Sequence, residues 1–180
     1  TLLKGARATD AERAAVAEQL AVFTGTTAEF WLAADLRVRE GQFVQELKRS
    51  KGVAVGRIDS LYSNYSTHPL SEGMTYDPFT SAVGAAFVAT FNDYYQRELG
   101  VKMDRPYVVS GNLYKDWDRS HKDPQNPWGS PVADTGIDLG HAMIKNPHMK
   151  VLVQAGYFDL ATPYRASEYF IDQLPVPDSI

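Results

Sequence analysis

Cysteine is absent from the 180 residues of this chain. Its absence excludes disulfides, thiol nucleophiles and zinc sites built on cysteine, and it leaves the redox compartment open. Long apolar runs are also missing, because no segment approaches the ~20 residues that a membrane span needs. We therefore expect no membrane partner. Residues 1–5 lack the organisation of a signal peptide, so we expect any export signal to lie upstream of this chain.

A charge excess of one sign is likewise missing. The net charge is −4, and acidic and basic residues alternate along the chain without forming a basic stripe. We therefore expect no nucleic-acid partner. The longest basic stretch, residues 48–51, stands at a predicted helix end, where cations are favoured by the helix dipole.

The first hundred residues have the pattern of helices. Thr9 and Glu12 form a capping box before a helix that Gly25 ends. The pair Asp77-Pro78 is a typical start for a longer helix that ends at Gly100. Two further helices are predicted between them. One is opened by the capping signature Thr26-Thr27-Ala28-Glu29 and runs to about Leu36, and the other runs from about Gly41 to Lys51. An extended piece at residues 53–59 and a polar loop at residues 60–73 follow.

The second part of the chain has a different pattern. An irregular loop is predicted from Asp118 to Pro131, and a helix from Asp134 to Lys145. Val151-Leu152-Val153 then resembles the buried strands of parallel sheets, and Thr162-Pro163 begins another helix. Helix, strand, acidic loop and helix in this order indicate an α/β fold with a parallel-sheet strand between flanking helices.

Asp159 is the candidate catalytic residue. It follows the predicted strand, and in α/β sheets functional groups gather just past the carboxyl ends of strands. A carboxylate at this place can orient a catalytic imidazole and stabilise its positive charge. The alternative is that Asp159 only caps a turn by binding local backbone amides. The pattern alone leaves both possibilities open.

Residues 151–163 resemble the stretch that carries the triad aspartate in serine carboxypeptidases, and their sequence is most similar to that of the bacterial members. The sequence of this stretch is Val-Leu-Val-Gln-Ala-Gly-Tyr-Phe-Asp-Leu-Ala-Thr-Pro. The resemblance implies an α/β-hydrolase with a helical lid at residues 1–105 and part of the catalytic core at residues 106–180. It implies that Asp159 is the acid of a Ser-His-Asp triad that releases C-terminal residues from peptides. It also implies a secreted or periplasmic protein without cofactor or metal.

The chain departs from that family in two respects. It has no Gly-x-Ser-x-Gly pentapeptide for the nucleophile, and its Gly140-His141 pair precedes the acid, whereas the triad histidine should follow it. His141 is therefore predicted to be an ordinary helix residue. Because the chain ends after a helix where another parallel strand should begin, we expect it to be one piece of a larger hydrolase core, which would be its partner.

Two other functions stay open: an acyltransferase on the same scaffold, and a non-catalytic helical binding module. The remaining polar candidates indicate less. His68, His121 and His148 lack metal-ligand spacing and are predicted to lie at the surface. The acidic cluster of Asp116, Asp118 and Asp123 lacks the glycine and the glutamate of a calcium loop. Aromatic side chains either line a substrate groove or pack within the lid; they are Tyr62, Tyr65, Tyr114, Trp117 and Trp128.

Overall fold

The computed structural model describes residues 2–105, 107–111, 113–123, 126–130 and 133–179. These residues form a mixed α/β structure that is mostly helical, with two small antiparallel sheets. They divide into two compact units. The first unit contains the described residues up to Ala89 and, in addition, Phe158–Ala161; the second contains Thr90–Tyr157 and the described residues from Thr162 onwards.

Helix α1, Asp10–Thr24, begins and ends as its sequence predicts. The Thr9 hydroxyl accepts a hydrogen bond from the Glu12 amide at 3.2 Å, and the Glu12 carboxylate accepts one from the Thr9 amide at 3.0 Å. Gly25 closes the helix in the left-handed region with φ of 72°, where a residue without Cβ carries no steric penalty. The predicted capping box and stop are confirmed.

The Glu12 carboxylate also forms an ion pair with Lys4. Its hydrogen bond from Lys4, and then its bond from the Thr9 amide, lower the pKa of Glu12 below its ordinary value. A carboxylate with a lowered pKa stabilises the folded state above its unfolded pKa, and this contribution is lost as the pH falls through the folded value. The start of α1 is therefore weakened by acid.

Helix α2, Ala28–Ala33, is shorter than predicted. Thr27 caps it by accepting from the Phe30 amide at 3.2 Å, one residue after the Thr26 that opens the predicted capping signature. The predicted extension to Leu36 is wrong, because Asp35 and Leu36 adopt φ values of 50° and 60°. The Leu36 side chain is buried after this left-handed turn. Tertiary packing therefore ends the helix earlier than the helix propensity of these residues would.

The core of the first unit lies between helix α3, Glu40–Glu46, and a two-stranded sheet. Strand β1, Val53–Val55, pairs antiparallel with β2, Ser63–Tyr65, with Val55 opposite Ser63. The extended piece predicted at the first strand is confirmed, but the second strand lies inside the predicted polar loop. The side chains at the centre of this core are fully or almost fully buried; they are Val44, Gln45, Ala54 and Val55.

Helix α4, Pro78–Asp93, starts at the predicted Asp77-Pro78 pair. A single π-helical turn, Tyr94–Glu98, continues it, and Gly100 follows with φ of 62°. The boundary between the two units falls within this helix, at Ala89 and Thr90. No helix in the described part of the chain is long and apolar enough to cross a membrane.

The second unit contains a hairpin and two helices. Strand β3, His121–Asp123, pairs antiparallel with β4, Asn126–Ser130, with His121 opposite Ser130. The irregular loop predicted from Asp118 is confirmed at residues 118–120 and is wrong for the residues of the two strands. Helices α5, Gly136–Lys145, and α6, Tyr164–Asp172, confirm two predicted helices. A Cβ atom added to Gly140 would lie 3.0 Å from the Pro175 ring, so the chain after α6 passes close to α5.

The predicted parallel strand at residues 151–155 is not formed. These residues have no strand partner in the described structure, and the Leu152 side chain is 82% exposed. A strand needs a neighbour for its backbone hydrogen bonds, and both sheets in the described residues are antiparallel pairs formed elsewhere. The apolar Val-Leu-Val sequence thus has no regular secondary structure and is exposed, so the prediction of a buried strand is wrong.

The predicted division into a lid, residues 1–105, and a catalytic core, residues 106–180, is a functional assignment and stays a prediction. The structure's two units meet instead at residues 89 and 90, and Pro106 lies outside the described residues. The α/β class is confirmed as a mixture of helices and small sheets. Both sheets in the described residues are antiparallel, and the hydrolase fold stays a prediction.

Gly56 and Gly84 offer a matched pair of substitutions in the first unit. A Cβ at buried Gly56 would lie 2.4 Å from the Asp59 carbonyl oxygen, whereas at Gly84 its nearest contact would be a Thr80 methyl at 3.7 Å. We expect Gly56→Ala to lower the free energy of unfolding by about 1–3 kcal/mol through overpacking. Gly84→Ala, inside α4, should raise it by up to ~1 kcal/mol. Urea unfolding of both variants measures this, and equal effects would contradict the packing around Gly56.

Candidate functional site

The loop that carries Asp159 is fixed to the first unit by two main-chain hydrogen bonds. The Ser60 amide donates to the Phe158 carbonyl at 2.9 Å, and the Leu160 amide donates to the Arg57 carbonyl at 3.0 Å. One bond therefore lies on each side of Asp159. The segment Phe158–Ala161 belongs to the first unit although the residues before and after it belong to the second.

Asp159 itself caps the turn that follows it. Its Oδ1 atom accepts a hydrogen bond from the Ala161 amide at 2.8 Å, and the residue is half-buried. This is the Asx turn expected if Asp159 only caps a turn. The catalytic role of Asp159 stays a prediction.

Arg57, the partner of that loop, is itself held by the start of helix α4. Its amide donates to Asp77 Oδ1 at 3.2 Å, and the same oxygen accepts from the Phe79 amide at 3.0 Å. Asp77 therefore caps α4 and fixes the Arg57 peptide with one carboxylate oxygen. Its second oxygen accepts from the Thr80 hydroxyl at 3.2 Å.

The Arg57 side chain forms an ion pair with Glu40 at the start of α3, with 2.5 Å between Nε and Oε1. Glu40 Oε1 is nevertheless a buried oxygen without an aligned hydrogen-bond donor, so the attraction is ionic rather than a directed bond. Both side chains are partly exposed, and such pairs contribute little to stability. The main-chain bonds of Arg57 therefore matter more than its charge for holding the loop.

The aromatic candidates of the first unit divide between the two predicted roles. Tyr62 packs edge-on against Phe79 at a centroid distance of 5.2 Å, beside the Arg57 loop. Tyr65 is exposed, and its carbonyl accepts from the Tyr76 hydroxyl at 2.6 Å. Packing thus accounts for Tyr62, whereas Tyr65 leaves its ring open to solvent.

In the second unit, Tyr114, Trp117 and Trp128 are all exposed, and the Trp128 ring reaches 95% exposure. None of the three makes a ring-to-ring contact within the described residues. Packing inside a core therefore does not account for them. The alternative role, lining a groove, is not tested by their positions.

The second unit contains a histidine–carboxylate pair that the sequence did not predict. His121 Nε2 lies 2.6 Å from Asp138 Oδ2, and the histidine side chain is only 18% exposed. His121 is therefore partly buried by this contact rather than fully exposed at the surface. The pair joins the hairpin to α5 across a long sequence separation, so no local signal could have indicated it. His141 lies in α5, as predicted.

The described residues contain no group of three or more histidine, aspartate or glutamate side chains suited to a metal ion. In the predicted acidic cluster, Asp118 accepts from the Ser120 amide at 2.9 Å. The Ser120 hydroxyl, and then its amide, lower the pKa of the Asp118 carboxyl. Asp118 thus caps a local turn, while the side chain of Asp123 lies outside the described residues.

The residues around Asp159 can hold a carboxylate in a fixed loop, but the described structure brings no serine and histidine together with it. Comparisons of the chain with profiles of known protein families, with curated proteins and with solved structures find no match.

Asp77 should control the loop of Asp159 through Arg57. Asp77→Ala leaves the Arg57 and Phe79 amides without their acceptor, and we expect a loss of about 1–2 kcal/mol in the free energy of unfolding. The Leu160 amide, bonded to the Arg57 carbonyl, should then exchange with deuterium faster than in the wild type. Thr9→Ala is the matched control, since it removes another helix cap of the same unit. If both variants change Leu160 exchange equally, the Asp77 link is not specific.

Proposed function

We propose that this chain supplies the acid of a Ser-His-Asp site in a serine carboxypeptidase-like hydrolase. Asp159 is that acid, and the nucleophile and the base come from parts of the hydrolase core outside this sequence. On this proposal the larger assembly is an α/β-hydrolase that releases C-terminal residues from peptides. Its setting, secreted or periplasmic, follows from the same resemblance.

The observation that carries the proposal is the way the Asp159 loop is held. A triad acid must be fixed so that it aligns the histidine in one tautomer and orientation. The hydrogen bonds of Phe158 and Leu160 fix the main chain on both sides, and the Asx turn fixes the side chain. This rigid and half-buried carboxylate coincides with the acid position in the sequence pattern of residues 151–163.

The exposed segment before Asp159 supports the same proposal. Residues 151–155 carry a Val-Leu-Val run whose side chains are open to solvent. Such a run is typical of a strand buried on both faces of a parallel sheet. If neighbouring strands belong to the remainder of the hydrolase core, they would supply both the hydrogen bonds and the covering faces that this segment lacks here.

Within the proposed site, Asp159 acts through the histidine. The serine oxygen attacks the peptide carbonyl while the histidine takes its proton, and the histidine then gives that proton to the leaving amine. The acyl-enzyme ester is afterwards hydrolysed by water through the same base. Asp159 accepts the Nδ1–H bond of the imidazole throughout and stabilises the imidazolium ion, without itself becoming protonated.

The helices of residues 1–105 are proposed to form the lid over this site. Lids take their mobile parts from weakly packed segments. The polar stretch after β2 fits that role, because exposed residues such as Leu70 lie in it. An acyltransferase on the same scaffold would use the same residues and differ only in the acyl acceptor. Comparing blocked dipeptides with and without an added alcohol acceptor distinguishes the two activities.

The isolated chain should be inactive. A carboxylate without a nucleophile and a base has no route to an acyl-enzyme, so we expect no turnover of blocked dipeptides or their esters by the purified chain. The measurement is product release over time, with and without a serine-directed inhibitor. Turnover that the inhibitor abolishes would show that this chain contains its own nucleophile, and it would contradict the proposal.

Asp159→Asn in the assembled hydrolase should lower kcat by as much as ~10⁴, because the amide cannot stabilise the imidazolium ion. Asp59→Asn is a closely matched control. Asp59 caps a similar turn in the same unit, accepting from the Leu61 amide at 3.0 Å. If Asp159 only caps its turn, both variants will keep near-normal kcat. The assay is kcat for a blocked dipeptide, with unfolding curves to show that each variant folds.

A further inference from the structure

A cavity of about 610 Å³ opens in the second unit, beside the π-helical turn that continues α4. Its volume is within the range of pockets that enclose small organic ligands. Isolated π-helical turns are frequent at functional sites, and Tyr95 and Gln96 of this turn both line the cavity. None of the residues around Asp159 contributes to it, so it is separate from the site described above.

Aromatic rings form one part of the cavity wall. Tyr95 and Tyr107 line it with ring centroids 6.0 Å apart, and Phe91 packs against both, at 5.4 Å and 4.4 Å. The Tyr95 hydroxyl donates to Met103 Sδ at 3.1 Å, which fixes the tyrosine against the thioether. A flat apolar ligand can stack on such rings in an offset or edge-to-face arrangement.

The charge of the cavity is positive. Arg105 is the one charged side chain among the described residues that line it, and it forms no ion pair with the carboxylates of the described chain. Its guanidinium can bind a carboxylate through two parallel hydrogen bonds. The amide side chains of Asn92 and Gln96 add polar groups to the lining.

We infer that this cavity binds a small aromatic monocarboxylate. The aromatic body stacks on Tyr95 and Tyr107, and the carboxylate pairs with Arg105. A single cation balances one negative charge, whereas a phosphate dianion would keep a second negative charge unbalanced beside one guanidinium. A free aromatic acid and the C-terminal residue of a peptide share this chemistry. The inference does not rest on the proposed hydrolase activity, because it concerns equilibrium binding by the chain itself.

The test is a titration of the isotope-labelled chain, followed by NMR, with 2-naphthylacetate as the free acid and 2-naphthylacetamide as its neutral counterpart. We expect the acid to bind with a Kd of about 1 mM or below and to shift the Tyr95 and Tyr107 signals. The amide should bind roughly tenfold more weakly, because it lacks the charge-assisted pair. Absence of binding, or equal affinities for the two ligands, would overturn the inference.

Variants separate charge from stacking. Arg105→Gln should remove the difference between acid and amide, whereas Lys102→Gln, which removes the same charge from a neighbouring residue outside the lining, should keep it. Tyr107→Leu should weaken acid and amide by a common factor, since stacking serves both. Unchanged signals from α5 and α6 show that each variant folds. Retained discrimination in Arg105→Gln would overturn the assignment of the anion site.

A third ligand, acetyl-glycyl-phenylalanine, distinguishes the two sources of the carboxylate. If it binds with the affinity of the free acid and depends on Arg105, the cavity accepts peptide C-termini. If it fails to bind while the naphthyl acid binds, the cavity takes free aromatic acids. Both results support an aromatic carboxylate site, and both differ from the result of the hydrolase assays, which measure turnover at Asp159.

Discussion

The backbone amide and the backbone carbonyl of Arg57 are both hydrogen-bonded, and the arrangement of the first unit around the candidate site depends on these two bonds. Its amide is bound by the Asp77 carboxylate at the start of α4, and its carbonyl is bound by the Leu160 amide. A buried backbone group without a partner is costly, so these bonds constrain two segments that are distant in sequence. The loop of Asp159 is therefore held by the same residue, Arg57, that is bonded to the start of α4.

Gly56 makes this arrangement possible. It is buried next to Arg57, with its amide bonded to the Tyr62 carbonyl at 2.8 Å, and the Asp59 carbonyl approaches it too closely for a side chain. The turn can consequently fold tightly enough to present the Arg57 carbonyl on one side and the Ser60 amide on the other. The Ser60 amide donates to the Phe158 carbonyl, and the Arg57 carbonyl accepts from the Leu160 amide. The position of the candidate acid thus follows from a backbone feature rather than from a network of side chains.

The two candidate sites differ in the type of interaction that forms them. The Asp159 loop is defined by main-chain hydrogen bonds and contains no base or nucleophile, which suits a residue that acts through a partner. The cavity beside the π-helical turn is defined by aromatic side chains and one arginine, which suits direct contact with a ligand. Each lies within one of the two units, and each can be tested without assuming that the other functions.

Local signals in the sequence were reliable where a few neighbouring residues decide the structure. Thr9 and Glu12 satisfy each other's backbone amides, and Gly25 tolerates the left-handed conformation, so both ends of α1 could be predicted. The Asp77-Pro78 start of α4 is of the same kind. Prediction failed at Leu36 and at Val151–Val153, because burial and strand pairing depend on residues elsewhere in the chain.

By itself the sequence determined the helix caps, the apolar run before Asp159 and the acidic residue that resembles a triad acid, since each depends on residues within a few positions. Only the tertiary structure decided that Arg57 binds the loop of Asp159, that His121 meets Asp138, and that Arg105 lines an aromatic cavity. These contacts join residues whose separation carries no periodic signal. They arise from the path of the chain, which brings separated backbone and side-chain groups into contact, and the pattern of neighbouring residues does not encode such contacts.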